Sequence, residues 1–432
     1  MNARPLSINL SNARARILGE GAWVASGQMA SALAVLAGTR LLTEYLPAEV
    51  YGTISLLLGL ASLGTTIACG PFFQTALRFY PEAVKKGQAP YLRKIVNGFL
   101  FRAAGVLICV FAVLWVIFRQ RISIVLLILL AGLLIVDVTR TRELNFLNAG
   151  RRQRPYSVWV AFDAWARPVA ALAMIFAFGV SAGSVLAGYV AGSLLALIVF
   201  AKIIRRGAAD GELKQQDETM AAEIRRYALP LMPLAIVGWI TSLSDRYIIG
   251  GLAGLGQAGI YAAAYGLVSR PFLMAGGVID QTLRPVYFEA ISNGNKRREK
   301  RTLFYHIAVT VLVCLCGVVL ITLLRGEISG LLLAQKYRKG AELMPWIALG
   351  YAFLAISNVF ANVCFAYKNT RYILFTQIAS AGICLIVEIP AIYRYGILGA
   401  AVSVPVYFGA QLAMSIFLAR RARKKGAYYN EN

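Results

Sequence analysis

The chain has 432 residues, of which 59% are hydrophobic and only 15% are charged, against about 25% charged in a typical soluble domain. A soluble fold could not bury that much apolar surface, so the composition excludes a water-soluble enzyme and indicates a protein of the lipid bilayer. The net charge is +24. Because the excess Lys and Arg lie in short links between apolar segments, this charge does not indicate nucleic-acid binding.

Apolar segments long enough to cross a bilayer, about 20 residues each, predict an all-α integral membrane protein with twelve transmembrane helices. The first segment follows basic residues, as the apolar core of a signal peptide does, but its length favours a retained helix. In chain order the predicted spans are 21–43, 50–76, 95–118, 122–141, 156–178, 182–204, 228–250, 258–285, 303–324, 343–366, 372–393 and 397–419.

The placement of Lys and Arg predicts the orientation and the domains. With the amino terminus in the cytoplasm, 31 of these residues lie in inner regions and 7 in outer links, a bias that places both termini inside. The longest soluble link separates the first six spans from the last six. We therefore expect an amino-terminal lobe over 1–205, a cytoplasmic linker over 206–226, and a carboxy-terminal lobe with a basic tail over 227–432.

An internal repeat supports two equivalent halves. Gln74–Ala83 matches Gln281–Ala290 at five of ten positions without a gap, at an offset of 207 residues. Each copy ends a long apolar stretch. Since six helices per half is an even number, the repeat predicts two parallel six-helix lobes related by an axis along the membrane normal.

Arginines inside the predicted spans are the candidate ligands for an anionic cargo. An Arg in hydrocarbon costs about 2.5–3.5 kcal/mol on insertion scales, so each should face a partner or a wet cavity. The planar guanidinium group binds two phosphate oxygens at once. The five candidates for a cavity that binds pyrophosphate and sugar are Arg40, Arg102, Arg167, Arg246 and Arg270.

Four of these arginines have a second interpretation. Arg270 has no acidic residue three or four positions away, which favours a cavity over a cross-helix ion pair. Arg167 follows Asp163 by four residues, so a structural pair explains it as well as a ligand role does. Arg40 and Arg246 lie near helix ends, where snorkelling to the interface would explain them, although their equivalent places in the two halves favour the mouth of a cavity.

Acidic residues inside the spans are candidates for coupling transport to a cation gradient, because a carboxylate in hydrocarbon must be paired, protonated or bound to a cation. Pairing explains Asp245, which precedes Arg246, and Asp137, which lies three residues before Arg140. Glu388 has no basic neighbour within four positions and is the favoured coupling residue. The expected coupling set is Glu388, Asp245, Asp163 and Asp137; Asp280 is a further acidic residue within a span.

Prolines and reactive side chains complete the set of candidates. Prolines within helices remove a backbone hydrogen bond and predict hinges, here at Pro230, Pro233 and Pro271. His306 beside a basic cluster is interpreted as an interfacial residue. The six cysteines fit no metal-ligand spacing, and no catalytic or metal site is expected. Tyrosines in the spans, including Tyr261, Tyr265 and Tyr351, are attributed to packing rather than to sugar stacking.

A series of segments in fixed order resembles a known family. They are Gly21–Trp23 through Gln28, Arg40–Leu42, Leu46–Gly52, Arg78–Glu82, Ser244–Arg246, Ala258–Tyr265 and Leu331–Tyr337. With them the chain resembles the Wzx-type polysaccharide and O-antigen flippases of the multidrug/oligosaccharidyl-lipid/polysaccharide exporter superfamily. The resemblance covers almost the whole chain and implies a V-shaped pair of lobes around a cationic central cavity.

The resemblance also implies a function. It is the translocation of undecaprenyl-pyrophosphate-linked oligosaccharides across a bacterial inner membrane by alternating access, for O-antigen, capsule or exopolysaccharide synthesis, without bond chemistry. The implied partners are this lipid-linked substrate, membrane lipids, and a polysaccharide polymerase with its chain-length regulator; a monomer is expected to be functional. No cofactor is expected, and coupling would use H⁺ or Na⁺.

Two alternatives stay open. One is a drug/cation antiporter of the same superfamily, although cationic drugs need acidic cavities rather than several arginines. The other is a membrane polysaccharide polymerase or glycosyltransferase. This second alternative is disfavoured because the longest outer link, about 325–342, contains only Glu327 and Glu342 as acidic residues.

Overall fold

The computed structural model describes residues 10–118, 123–203, 218–229, 232–367 and 369–429. Nearly all of these residues are helical, and none of them lies in a β-strand. A π-helical turn, Thr65–Cys69, separates α2 from α3, and a 3₁₀ segment, Gln335–Glu342, precedes α12. The helices are α1 (Leu10–Tyr45), α2 (Ala48–Gly64), α3 (Gly70–Lys85), α4 (Ala89–Phe118), α5 (Ile124–Ala149), α6 (Gln153–Phe178), α7 (Ala182–Val199), α8 (Glu218–Ala228), α9 (Met232–Leu252), α10 (Leu255–Ser292), α11 (Lys296–Leu332), α12 (Met344–Ala366) and α13 (Thr370–Tyr429).

Within the described ranges, nine helices are long and apolar enough to cross a membrane. The last of them contains both of the final predicted spans, while the predicted spans 21–43 and 228–250 correspond to α1 and α9. The prediction of an all-α, multi-pass membrane protein is confirmed. The nine are Ala48–Lys85, Ala89–Ile117, Ile124–Ala149, Gln153–Phe178, Ala182–Val199, Leu255–Ile291, Lys296–Leu332, Met344–Ala366 and Arg371–Lys424.

Helix α11 shows how these elements suit a bilayer. Its outer face is apolar, with exposed Phe304, Leu312, Leu315, Leu320 and Leu323. Its buried residues are mostly polar and recur every three or four positions, the spacing of one helix face; they are Glu299, Thr302, His306, Thr310 and Cys314. The helix is therefore apolar towards lipid and polar towards the protein. His306 is one of these inward residues and is buried; its expected position at the membrane interface stays a prediction.

A glycine divides α13 into its two predicted spans. Gly396 has φ 59° and ψ −138°, a conformation that is essentially restricted to glycine because a Cβ would clash with the backbone. The next turn is packed closely, since a Cβ on Gly399 would lie 2.0 Å from the carbonyl oxygen of Ala391. The chain therefore changes direction at Gly396 without a separate loop, and the two predicted spans are assigned to one helix.

The predicted hinge prolines lie in different settings. Pro271 is inside α10, where it removes a backbone hydrogen bond. Pro233 is the second residue of α9 as described, a first-turn position in which proline is well tolerated. Pro230 lies outside the described residues. Hinge motion at these positions stays a prediction.

The chain divides into two compact units. Unit 1 comprises residues 1–41 and 64–232, and unit 2 comprises residues 42–63 and 233–432. Part of the predicted linker, residues 206–217, lies outside the described ranges, and residues 218–228 form α8. The predicted lobes and linker stay predictions.

Each unit contains helices that meet backbone to backbone. In unit 1, a Cβ on Gly188 of α7 would lie 2.3 Å from the Cα of Ala171 on α6. In unit 2, a Cβ on Gly52 of α2 would lie 2.0 Å from the carbonyl oxygen of Leu255, at the start of α10. Small residues permit such close approach in membrane helices, where packing replaces the hydrophobic effect as the source of association.

The 3₁₀ segment of unit 2 is anchored by Tyr337. Its hydroxyl donates to the carbonyl oxygen of Leu46 at 2.9 Å, and its ring meets that of Tyr51 edge to face. Burial is the main cause that raises the pKa of Tyr337, with Tyr51 and Glu49 adding to it. The hydroxyl therefore stays neutral and remains a donor at physiological pH.

Candidate functional site

A buried carboxylate of α9 forms the first part of the site in unit 2. Asp245 is 2% exposed. One of its oxygens, Oδ2, accepts a hydrogen bond from the Tyr261 hydroxyl of α10 at 2.7 Å. The other, Oδ1, accepts from the backbone N–H of Arg246 at 2.7 Å. The carboxylate is thus hydrogen-bonded by one hydroxyl and one backbone amide.

The neighbouring arginine side chain is directed elsewhere within the same unit. The Arg246 guanidinium donates to the Ser55 hydroxyl of α2 at 3.3 Å and lies over the ring of Tyr265, 5.3 Å from its centroid. Among the described residues no side-chain salt bridge joins it to Asp245. The adjacent acid and base that the sequence offers as a pair share only a backbone hydrogen bond.

Glu388 of α13 lies next to this carboxylate and is completely buried. Its Oε2 accepts from the Ser244 hydroxyl at 3.5 Å and from the Cys384 thiol at 3.4 Å. Its Oε1 has no hydrogen-bond partner among the described residues. Since Ser244 immediately precedes Asp245, α9 and α13 bring the two carboxylates together. We call Asp245, Glu388, Ser244, Tyr261 and Cys384 the carboxylate cluster.

Buried tyrosines surround the carboxylate cluster. The hydroxyls of Tyr265 and Tyr351 lie 2.8 Å apart, and the Tyr407 hydroxyl donates to the carbonyl oxygen of Thr241 at 3.3 Å. All three rings are buried. A carboxylate in such surroundings is stable only when it carries a proton or has a cation beside it. The cluster is therefore suited to bind and release a proton or a small cation.

Unit 1 contains a polar cluster of a different kind, in which charges are matched. Arg140 lies 3.4 Å from Asp137 and 3.2 Å from Asp163. Arg167 pairs with Asp137 and lies 3.1 Å from Asp163. Ser193 of α7 donates to Asp163 at 3.1 Å. We call these five residues of α5, α6 and α7 the ion-pair cluster; its two cations balance its two anions.

The ion-pair cluster bears on two alternatives from the sequence. Arg167 does pair with Asp163, four residues earlier on the same helix, and Asp137 does pair with Arg140. The link from Arg167 to Asp137 crosses to another helix, and helical spacing could not reveal it. Whether Arg167 also contacts a cargo stays a prediction, as does a coupling role for Asp137 and Asp163.

A second polar site of unit 1, with an excess of positive charge, does not emerge from the sequence analysis. The Glu143 carboxylate of α5 is buried and accepts hydrogen bonds from Arg93 of α4 and, at 2.8 Å, from Arg142. Arg93 also lies over the Phe146 ring, 4.9 Å from its centroid. Two cations share one anion here, so the group carries a net positive charge. Both arginines were assigned to links, because their helices extend beyond the predicted spans.

The remaining predicted ligands are separate from these clusters. Arg102 and Arg270 are exposed, on α4 of unit 1 and α10 of unit 2, and Arg40 of α1 is half-buried. Arg102 has no salt bridge to another described residue. The predicted cationic cavity, which would use arginines of both units, stays a prediction. Among the described residues, no group of three or more His, Cys, Asp or Glu is arranged to hold a metal ion.

Two protein-family models match parts of the chain. A family model described as "Polysaccharide biosynthesis protein" matches residues 17–291, and one described as MatE matches residues 230–390. No curated protein sequence matches the chain.

Three solved structures illustrate the shared fold. The lipid II flippase MurJ in an inward closed conformation has a TM-score of 0.67 at 16% identity, covering 92% of this chain and 87% of that one. An inward-facing multidrug resistance MATE family transporter of the MOP superfamily has a TM-score of 0.66 at 14% identity, covering 94% of this chain and 96% of that one. A Vibrio cholerae MATE transporter has a TM-score of 0.62 at 12% identity, covering 97% of this chain and 98% of that one. At these identities the likeness concerns the fold.

Proposed function

The chain belongs to the polysaccharide biosynthesis protein family of the MOP superfamily, and from that membership we propose that it is a flippase for undecaprenyl-pyrophosphate-linked oligosaccharides. The observation that carries the proposal is the family match over residues 17–291, more than half of the chain. The likeness to the fold of a lipid II flippase supports it. The proposed location is a bacterial inner membrane, with both termini in the cytoplasm.

The physical task is to carry a pyrophosphate and sugar hydroxyls past a hydrocarbon layer about 30 Å thick. Helix-borne cations lower the cost of moving the phosphates, and the lipid tail stays in the bilayer. Arg102 on α4 and Arg270 on α10 are exposed and are the proposed phosphate contacts. Alternating access would open this path to one leaflet at a time, without any bond being made or broken.

The carboxylate cluster is the proposed coupling site. Asp245 and Glu388 are buried side by side without a salt bridge to Lys or Arg among the described residues. A cation gradient would drive transport if the cluster bound H⁺ or Na⁺ in one conformation and released it in the other. The oxygens of Asp245, Glu388 and Ser244 suit either ion.

A drug/cation antiporter is the second candidate, because the MatE family model matches residues 230–390. That range contains Asp245 and Glu388, and buried carboxylates of this kind also suit a cationic cargo. A polymerase or glycosyltransferase is the least supported alternative, since the solved structures of similar fold are transporters.

Transport in proteoliposomes tests the proposal. Purified protein is reconstituted with an undecaprenyl-pyrophosphate oligosaccharide, and the rate at which the glycan reaches the opposite leaflet is measured; ethidium transport is measured in parallel. We expect glycan transport that exceeds protein-free liposomes at least tenfold, with no ethidium transport. Ethidium transport without glycan transport would replace the flippase by the antiporter.

Site variants sharpen this test. Arg270→Ala should lower the glycan transport rate at least tenfold, whereas Arg270→Lys, which keeps the charge but loses the planar fork, should retain part of it. Arg298→Ala is the matched control, because Arg298 is an exposed arginine 3.2 Å from Glu289 near the start of α11. Wild-type transport by Arg270→Ala would remove Arg270 from the phosphate path.

A further inference from the structure

A polar cavity lies within unit 2, apart from the carboxylate cluster. Its volume is about 300 Å³, at the lower end of the range for small-molecule sites, about 300–1,000 Å³. Helices α10, α11, α12 and α13 line it. The polar side chains on its wall include Asp280, Arg284, His306, Asn358, Asn362 and Gln377.

The charges of the cavity wall are largely satisfied by one another. Asp280 accepts a hydrogen bond from Asn362 and lies 3.6 Å from the Arg284 guanidinium. His306 Nε2 lies 4.0 Å from the same carboxylate. Asp280 thus has a cation, an amide and an imidazole around it. The Asp280 carboxylate would repel a free phosphate, and the Arg284 guanidinium would repel a cationic drug. Neither ligand therefore suits this wall.

Two amide side chains of the wall remain available to a ligand, whereas the Thr310 hydroxyl is buried and has no hydrogen-bond partner among the described residues. Asn358 and Gln377 carry amides, which both donate and accept hydrogen bonds, and both lie at least partly at the surface. A sugar hydroxyl also donates and accepts, so amide groups match it in both roles.

Aromatic rings complete the wall. Phe272, Tyr351 and Phe365 line the same cavity, and Phe365 also lies beneath the Arg284 guanidinium at 5.2 Å. Flat apolar rings beside amides and hydroxyls suit a molecule with both C–H faces and hydroxyl edges. Arg284 is 41% exposed and Asp280 29%, so this side of the cavity reaches the surface of the unit.

The cavity lies near one end of its helices. His306 is ten residues after the start of α11, and Gln377 is seven residues after the start of α13, which at 1.5 Å per residue gives about 15 Å and 10 Å. The first turns of these two helices carry the basic residues of Lys296–Arg301 and Arg371. The predicted orientation assigns them to the cytoplasm, the side from which a lipid-linked glycan would be collected.

We propose that this cavity binds one sugar unit of the lipid-linked glycan and so contributes to recognition of the cargo. The proposal rests on the proposed function, and it adds a glycan contact that is separate from the phosphate contacts of Arg102 and Arg270. On this proposal the cavity favours hydroxyl-bearing cargo, because a sugar forms hydrogen bonds with Asn358 and Gln377 that a lipid pyrophosphate without sugar cannot form.

Binding measurements with two lipids test it. The probes are an undecaprenyl-pyrophosphate repeat unit extracted from the strain that supplied the gene, and undecaprenyl pyrophosphate itself. Wild-type protein in detergent should bind the repeat unit at least tenfold more tightly. The variant Asn358→Leu/Gln377→Leu should lose this difference while its affinity for undecaprenyl pyrophosphate stays within twofold of wild type. Equal affinities of wild type for both lipids, or a retained difference in the variant, would overturn the proposal.

Thr322→Val is the matched control, because Thr322 lies outside the cavity wall and its exposed hydroxyl donates to the carbonyl oxygen of Val318 at 2.7 Å. This variant should keep the tenfold preference for the repeat unit. Loss of the preference in Thr322→Val would show that removing a polar group anywhere on these helices is enough, and would count against the cavity as the sugar site.

Two further measurements separate the possible causes of failure. Free oligosaccharide, released from the lipid by mild acid, is added as a competitor. Competition would show that the cavity recognises the sugar alone. If the free oligosaccharide does not compete, while wild-type protein still prefers the repeat unit to undecaprenyl pyrophosphate, the cavity recognises the sugar only when it is attached to the lipid. Transport of the repeat unit by wild-type protein reports on the proposed function separately. Transport without a cavity-dependent affinity would reject the cavity and leave the flippase standing.

Discussion

The ion-pair cluster of unit 1 and the carboxylate cluster of unit 2 solve the same problem in different ways. Both place carboxylates among membrane helices. In unit 1, Asp137 and Asp163 meet two arginines, so the charges cancel. In unit 2, Asp245 and Glu388 meet hydroxyls, a thiol and a backbone amide instead. A neutral cluster needs nothing further. Glu388, in contrast, has no salt bridge to Lys or Arg among the described residues, so it needs a proton or a cation from outside the protein.

This difference separates structural from functional interpretations of acidic residues in spans. Replacing one member of a matched pair leaves an uncompensated charge, so stability should suffer first. Replacing an acid that has no matching cation removes a charge that the fold itself did not need, so stability should be kept and coupling lost. The four predictions below test that contrast.

Breaking the ion-pair cluster should have the largest effect on stability. Asp163→Ala leaves Arg140 and Arg167 with a single carboxylate, and the free energy of unfolding should fall by about 3–5 kcal/mol. Denaturant unfolding in detergent measures this. The double variant Asp163→Asn/Arg167→Gln, which restores the charge balance, should recover part of the loss. An Asp163→Ala variant as stable as wild type would contradict a structural role.

The equivalent change in the carboxylate cluster should spare stability. Glu388→Gln keeps the shape of the side chain and removes the buried charge, so the free energy of unfolding should be unchanged or higher. Transport driven by an ion gradient should fall at least tenfold, because an amide cannot exchange the ion. Proteoliposomes with imposed H⁺ or Na⁺ gradients measure this and identify the ion. Gradient-driven transport at the wild-type rate would exclude Glu388 from coupling.

Single hydroxyl deletions give a finer comparison. Ser193→Ala removes the donor to Asp163 and should cost about 1 kcal/mol of stability without changing the ion dependence of transport. Tyr261→Phe removes the donor to Asp245 and should shift the ion concentration for half-maximal transport at least threefold. If the two variants shifted this concentration equally, the contrast between the units would not hold.

The smallest effect is expected at the thiol. Cys384 lies 3.4 Å from the Glu388 carboxylate, but a thiol is a weak donor. Replacing it by a hydroxyl in Cys384→Ser should shift the ion dependence less than threefold and leave the transport rate within twofold of wild type. A tenfold change in either quantity would show that the thiol contributes more to the cluster than its donor strength explains.

Local patterns in the sequence were enough for some of these features. The membrane-spanning helices follow from stretches of apolar residues, and the absence of a basic neighbour around Glu388 follows from the next turns of its own helix. The inward face of α11 was also present locally, because Glu299, Thr302, His306 and Thr310 recur at helical spacing. That polar stripe indicates that His306 faces the protein, whatever its depth in the membrane.

Contacts between distant segments needed the tertiary structure. Arg167 meets Asp137 across 30 residues of chain, and Ser244 meets Glu388 across 144. No periodicity within one helix encodes such a meeting, because it depends on which faces of separate helices pack together. The polar cavity of unit 2 has the same origin, since four helices contribute to its wall.

The sequence by itself determined that the chain is a multi-pass membrane protein and where its long apolar helices lie, because transfer energy depends on residues close together in the chain. Only the tertiary structure decided which buried charges cancel and which do not. That balance depends on side chains from several helices meeting within a few ångströms, in surroundings where an unmatched charge is costly.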